Sequence, residues 1–122
     1  KENDLEDRRR QRVGTFSRGM KQRLSLARAT LHRPGLLLMD EPYTGLDRRA
    51  TEHLGHRLHR LHAGGTTIVM VTHHLEEGVN LADRLVLLRR GRLCHQTPWS
   101  GDMKTLRALY EEHLGEKDVE RL

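Results

Sequence analysis

Aromatic side chains are nearly absent from this 122-residue chain, which has one Trp, two Tyr and one Phe. Hydrophobic residues of every kind reach only 35%, against 32% charged, and mean hydropathy is −0.74. A core built from that stock is thin, which points to surfaces that another segment should cover. The single cysteine, Cys94, excludes an internal disulfide framework and fits a reducing cytosol. No apolar run approaches the roughly 20 residues of a membrane span, so a role at a membrane would need another chain to cross it. No secretory signal is visible, and because residue 1 is Lys the true amino terminus is expected upstream. There is no internal repeat and no low-complexity tract. Acid is scarcer than base: the net charge is +5, with runs at Arg8-Arg9-Arg10 and Arg89-Arg90. That balance favours anionic ligands such as nucleotides, lipid headgroups or RNA, although solvated surface accounts for such runs equally well.

The chain is organised around Leu36-Leu37-Leu38-Met39-Asp40-Glu41-Pro42 and the turn Tyr43-Thr44-Gly45-Leu46-Asp47. An unbroken apolar run bounded by turn residues predicts a strand buried on both faces, with Asp40 and Glu41 at its carboxyl end. In open α/β sheets ligands bind at that edge. Two adjacent carboxylates there suit a magnesium-bound nucleotide. Asp40 can hold the cation through water, and Glu41 can take a proton from an attacking water. The plainer alternative is a strand that ends in acids and leads into the next helix.

Upstream, residues 1–12 read as the end of a helix or a solvated connector, and Val13-Gly14-Thr15-Phe16 as a loop. Ser17 is the expected N-cap of a helix whose stripe is Met20, Leu24, Ala27 and Leu31. His32-Arg33 suits its carboxyl end, and Pro34-Gly35 stops it. Asp47 is the expected cap of a second helix, 48–62, with the stripe Ala50, Leu54, Leu58 and Leu61. Gly64-Gly65 ends it. The β-branched run 66–72 predicts a second buried strand delivering His73 and His74. A short helix (75–81), a third strand (84–89), a turn at Arg90-Gly91, a hairpin partner (92–95), a loop (97–101) and a last helix (102–114) follow, ahead of a polar tail. Alternating strands and helices at this spacing predict an α/β fold with a parallel sheet and flanking helices.

Phe16-Ser17-Arg18-Gly19-Met20-Lys21-Gln22-Arg23, the strand 36–42, Thr44-Gly45-Leu46-Asp47 and Val71-Thr72-His73 together resemble the ATP-binding subunits of ABC transporters. The order matches that family: signature segment, Walker B strand with its glutamate, D-loop, histidine switch. The resemblance covers residues 13–95. It implies ATP and Mg2+ as cofactors, Glu41 as general base, Asp40 on the magnesium side, and His73 on the γ-phosphate. It implies that Ser17, Arg18, Gly19, Met20 and Asp47 contact nucleotide bound by a second ATPase subunit in a head-to-tail dimer. A capped helix N-terminus offers backbone N–H groups to such an anion. The partners implied are that second subunit and a transmembrane permease, at the cytoplasmic face of the membrane, with no nucleic acid expected. The signature departs from the usual LSGGQ at Arg18 and Met20: Arg18 can add charge toward phosphate but removes backbone freedom beside it. Within the family, Phe-Ser-Arg-Gly-Met and Tyr-Thr-Gly-Leu-Asp are similar to bacterial haem-exporter subunits of cytochrome c maturation.

No G-x-x-x-x-G-K-[ST] occurs, so no phosphate-cradling loop is present. The family's glutamine switch and adenine-stacking aromatic also precede the signature. The chain is therefore expected to be the carboxyl-terminal portion of one ABC ATPase domain. It would comprise the end of the helical signature subdomain (1–35), a Walker B to histidine-switch core (36–96), and a terminal helix and tail (97–122). The fold implied is a partial P-loop NTPase lacking the P-loop strand, which in the family lies between the strands at 67–72 and 84–89. Exposed strand edges there are a stability hazard, and no ATP turnover is expected from this chain alone. Two rivals stand beside the transporter reading: a soluble ABC ATPase acting on ribosomes or nucleic acid, and a non-catalytic remnant. His53, His56, His59 and His62 lie off the apolar stripe of their helix and read as solvated surface rather than as metal ligands. Trp99 and Tyr110 read as core or helix-docking residues.

Overall fold

A computed structural model describes residues 5–114. The first four residues of the charged amino-terminal stretch and the polar tail from residue 115 lie outside the described residues. The chain forms two compact units, Lys1–Thr72 and His73–Leu122.

In the first unit, short 3-10 turns at Glu6–Arg8 and Val13–Thr15 lead to helix α1, Arg18–Thr30. Strand β1, Leu36–Asp40, helix α2, Arg48–Ala63, and strand β2, Thr67–Val71, complete it. β1 and β2 pair in parallel from Leu36↔Thr67 to Asp40↔Val71, so both carboxyl ends lie at one edge. Short side-chain bonds set the joints. The Ser17 Oγ accepts the Met20 N–H at 3.3 Å, and the Asp47 Oδ1 accepts the Ala50 N–H at 2.8 Å. Both expected N-caps are thus in place. The Thr66 hydroxyl donates to the Pro34 carbonyl at 3.1 Å, tying the entrances of the two strands together.

The core of this unit comprises Phe16, Leu26, Leu37, Tyr43, Leu54 and Leu58. On α2 the expected stripe holds: Leu54 and Leu58 are buried, Ala50 and Leu61 half-buried. On α1 the expectation fails in part. Leu31, assigned to the buried stripe, lies past the helix end and is 71% exposed, while Leu26, outside the stripe, is the buried residue. The side of α1 turned to α2 carries Gly19 and Thr30. A Cβ on Gly19 would sit 3.7 Å from that of Ala50, and Arg57 Nη2 donates to the Thr30 hydroxyl at 3.3 Å.

The expectation of strands buried on both faces is also corrected. Leu37 is buried, but Leu36 and Leu38 on the opposite face of β1, with Val69 and Val71 beside them on β2, are half exposed or more. Helix α2 packs against β2. The face carrying Leu38 and Val69 has no covering layer among the described residues, which is why an all-apolar strand shows alternating burial.

The second unit holds helix α3, Leu75–Leu81, strands β3, Arg84–Arg89, and β4, Arg92–Pro98, and helix α4, Met103–Leu114. β3 and β4 form an antiparallel hairpin whose register shifts between Leu87 and Leu88. β4 runs on through Thr97-Pro98, which was expected to be loop; paired with Leu85 and Arg84, those residues stay in the ladder. Leu87, Trp99 and Leu106 form the core, and the Trp99 indole N–H donates to the Val79 carbonyl at 3.2 Å. Tyr110 is half-buried, and burial raises its hydroxyl pKa. Asp102 caps α4 by accepting the Thr105 N–H at 2.9 Å and its hydroxyl at 3.0 Å.

Candidate functional site

The carboxyl end of β1 is held in an unusual backbone. Asp40 ends the strand and is exposed. Glu41, half-buried, has φ +46°, a left-handed conformation uncommon for non-glycine residues and shared here by Arg33 and Arg90. Two backbone bonds hold it: the Glu41 N–H donates to the Val71 carbonyl at 2.8 Å, and its carbonyl accepts the Thr44 N–H at 3.2 Å. The Thr44 hydroxyl also reaches the Glu41 Oε2 at 3.5 Å, a long contact that steers more than it binds. Pro42 and Tyr43 behind it are buried, so the turn is anchored while Asp40 faces solvent. Thr44 was not singled out for a role at the carboxylate. A threonine three residues after an acid, inside a turn, was the available signal.

The start of α1 and the turn before α2 meet in this same unit. Arg18 lies over Gly45, and Gly19 packs toward Leu46 and Ala50. Of the residues assigned from sequence, Ser17, Arg18, Gly19 and Asp47 therefore share one neighbourhood, with Met20 tied to Ser17 by the cap bond. Ser17, Arg18 and Asp47 are exposed, and Gly19 and Met20 half-buried. The Ser17 hydroxyl already accepts the Met20 N–H. At the helix start, the preceding N–H groups are the ones an anion would use.

His73 belongs to the second unit, one residue beyond Thr72. It is exposed, and its ring lies 4.5 Å from that of His74 with the planes tilted by 36°. His53, His56, His59 and His62 are all exposed along α2. Among the described residues no group of three or more His, Cys, Asp or Glu side chains is placed to hold a metal ion, and no helix is long and apolar enough to cross a membrane.

Known proteins share parts of this chain's sequence and fold. The family described as "AAA domain, putative AbiEii toxin, Type IV TA system" matches residues 2–80. A Nod factor export ATP-binding protein I from Rhizobium sp. (strain N33) is 46% identical over 117 residues, covering 95% of this chain and 36% of that protein. The protein of the same name from Bradyrhizobium diazoefficiens is 45% identical over 111 residues, covering 91% and 34%. Among solved structures, an ATP-binding cassette dimer in a post-hydrolysis state with ADP and Pi aligns with a TM-score of 0.71 at 26% identity, over 82% of this chain and 44% of that one. An ATP-binding subunit of an ABC transporter aligns with a TM-score of 0.64 at 31% identity, over 86% and 42%. The chain belongs to the AAA domain family so described and, more narrowly, to the family of ABC transporter ATP-binding subunits. Its fold is that of part of a P-loop NTPase cassette, a parallel strand pair with flanking helices. The chain spans about a third of the length of the curated relatives it matches.

Proposed function

We propose that this chain is the carboxyl-terminal part of an ATP-hydrolysing subunit that drives export through a transmembrane partner, docked on the cytoplasmic face of the membrane. The observation that carries the reading is the constrained Glu41 at the tip of β1, in the unit where the capped start of α1 meets the turn at Gly45–Asp47. In this reading Glu41 accepts the proton of the attacking water. Its positive φ, enforced by the bonds to Val71 and Thr44, fixes where the carboxylate sits before substrate arrives. Asp40, exposed at the strand tip, would hold Mg2+. That fits its position, since a hard cation takes carboxylate and water oxygens. When bound, the cation offsets charge on the phosphates. His73 orients the water and contacts the γ-phosphate.

Ser17, Arg18, Gly19 and Met20 present the start of α1 to nucleotide held by a second subunit in a head-to-tail dimer, and Asp47 contacts that subunit. The cap bonds tie each helix start to its preceding turn, which favours a pre-organised contact. Export as the direction of transport is supported by the relatives, whose names refer to Nod factor export. The haem-exporter resemblance of residues 16–20 and 43–47 gains no support from them, and the nucleotide-facing residues carry no information about cargo. The chain lacks a phosphate-cradling loop, and we expect no turnover from it alone. The test is Glu41→Gln in the complete subunit with its permease. ATP should still bind and hydrolysis should fall by at least about 100-fold. Undiminished hydrolysis would remove Glu41 as the base.

A further inference from the structure

The turn that follows β1 is closed by two backbone bonds. The Thr44 N–H donates to the Glu41 carbonyl at 3.2 Å, and the Leu46 N–H to the Tyr43 carbonyl at 3.1 Å. A bond from the fourth residue back to the first makes 41–44 a β-turn. Pro42 takes its second position, where the fixed φ of the ring suits a chain reversal. The two central residues, Pro42 and Tyr43, are both buried. Tyr43 is 1% exposed, and its hydroxyl reaches α2 at Gly55, 3.9 Å from where a Cβ would stand. The turn is anchored by its middle, and its ends, Glu41 and Thr44, are brought back together.

The side chains at those ends also meet. The Thr44 hydroxyl donates to Glu41 Oε2 at 3.5 Å. An ionised carboxylate only accepts hydrogen bonds, so the direction of this one is set whenever Glu41 is charged. An unrestrained Glu side chain samples many rotamers, and ordering it costs conformational entropy. Thr is β-branched and stiff at χ1, which makes its hydroxyl a firm point of attachment. The bond is long for O–H···O, as catalytic hydrogen bonds often are before substrate arrives and tightens them.

We propose that Thr44 is a positioning residue for hydrolysis: its hydroxyl holds Glu41 Oε2 and so orients the carboxylate toward the attacking water. This rests on the reading of Glu41 as the base, and Thr44 acts through Glu41 rather than on the nucleotide. The contact lies within one chain, whereas Ser17 to Met20 and Asp47 are assigned across the dimer.

The experiment is steady-state ATP hydrolysis by the complete subunit with its permease, comparing the wild type with Thr44→Val, Thr44→Ser and Glu41→Gln. Valine keeps the shape of threonine and the backbone bond to Glu41 but has no hydroxyl. Thr44→Val should lower kcat about tenfold and leave KM for ATP within about twofold, because a misplaced reacting group costs turnover rather than ground-state binding. Thr44→Ser keeps the hydroxyl and should hold kcat within about threefold of wild type. If Thr44→Val does not fold, Thr44→Ala takes its place. A merely structural role gives the opposite order, since serine loses a methyl group from a half-buried side chain and valine does not. Wild-type kcat in Thr44→Val, or an equal or larger loss in Thr44→Ser, overturns the proposal while an inactive Glu41→Gln still leaves Glu41 as the base. Full turnover in Glu41→Gln removes the base and the proposal with it.

Discussion

The Arg18 guanidinium lies directly over Gly45, so close that a Cβ built on the glycine would fall 2.6 Å from Arg18 Cζ. Gly45 also has φ +70°, which a side chain adopts at a cost. The residue that departs from the family's glycine-rich signature is thereby seated on the turn between β1 and α2 of its own chain.

Gly45→Ala should therefore destabilise the protein by about 1–2 kcal/mol, most of it from the backbone, because the exposed Arg18 side chain can swing away. In a double-mutant cycle with Arg18→Ala, the coupling should be no more than about 0.5 kcal/mol. Denaturant midpoints of the four proteins measure it. A coupling nearer the full single-mutant cost would mean that Arg18, not φ, sets the requirement for glycine.

Removing the caps separates two strengths of the same device. Asp47→Ala, which loses a 2.8 Å bond to the Ala50 N–H, should cost about 1–2 kcal/mol. Ser17→Ala, which loses a 3.3 Å bond to the Met20 N–H, should cost about 0.5–1 kcal/mol. Thermal unfolding of each variant orders them. The reverse order would show that geometry at these two starts does not govern cap strength.

Glu41 trades stability for position. Glycine adopts φ +46° without strain, so Glu41→Gly should gain about 1 kcal/mol in unfolding experiments while abolishing hydrolysis in the complete subunit. Glu41→Gln should lose the activity with little of that gain, since it keeps the strained backbone. If the glycine variant is less stable than the wild type, the bonds to Val71 and Thr44 do not enforce a costly conformation.

Asp102 gives the second unit an acid-side dependence. Its carboxylate is held below the ordinary value of 3.8, chiefly by the Thr105 N–H and then by the Thr105 hydroxyl. A group depressed by folding contributes its stability in full above the unfolded value, and that contribution is lost as pH falls through the folded one. Below pH 3.8 the wild type should lose its advantage over Asp102→Asn. Melting curves of both proteins from neutral pH downward should converge in acid. Parallel curves would mean that the cap bonds do not depend on the carboxylate charge.

Much of this layout is local and was legible in the residues. The acids after Met39 mark the strand tip, Ser17 and Asp47 mark helix starts, and the run 84–89 matches β3 residue for residue. The α2 stripe was readable because Leu54 and Leu58 recur at helical spacing on a helix otherwise polar. The α1 stripe was not. Met20, Leu24, Ala27 and Leu31 scored as core by apolarity, yet α2 lies against the side bearing Gly19 and Thr30. Hydrophobic periodicity locates an apolar face but does not say which neighbour will meet the helix.

Sequence alone determined where α1, α2 and α3 begin and where β3 lies, because caps and turns depend on residues within a few positions of one another. It also determined the set of chemical groups at the tip of β1. Tertiary structure decided how those groups are held: the left-handed backbone of Glu41, and Arg18 seated on Gly45. Both follow from contacts between residues far apart in sequence, Glu41 with Val71 and Arg18 with Gly45, and no local pattern encodes them.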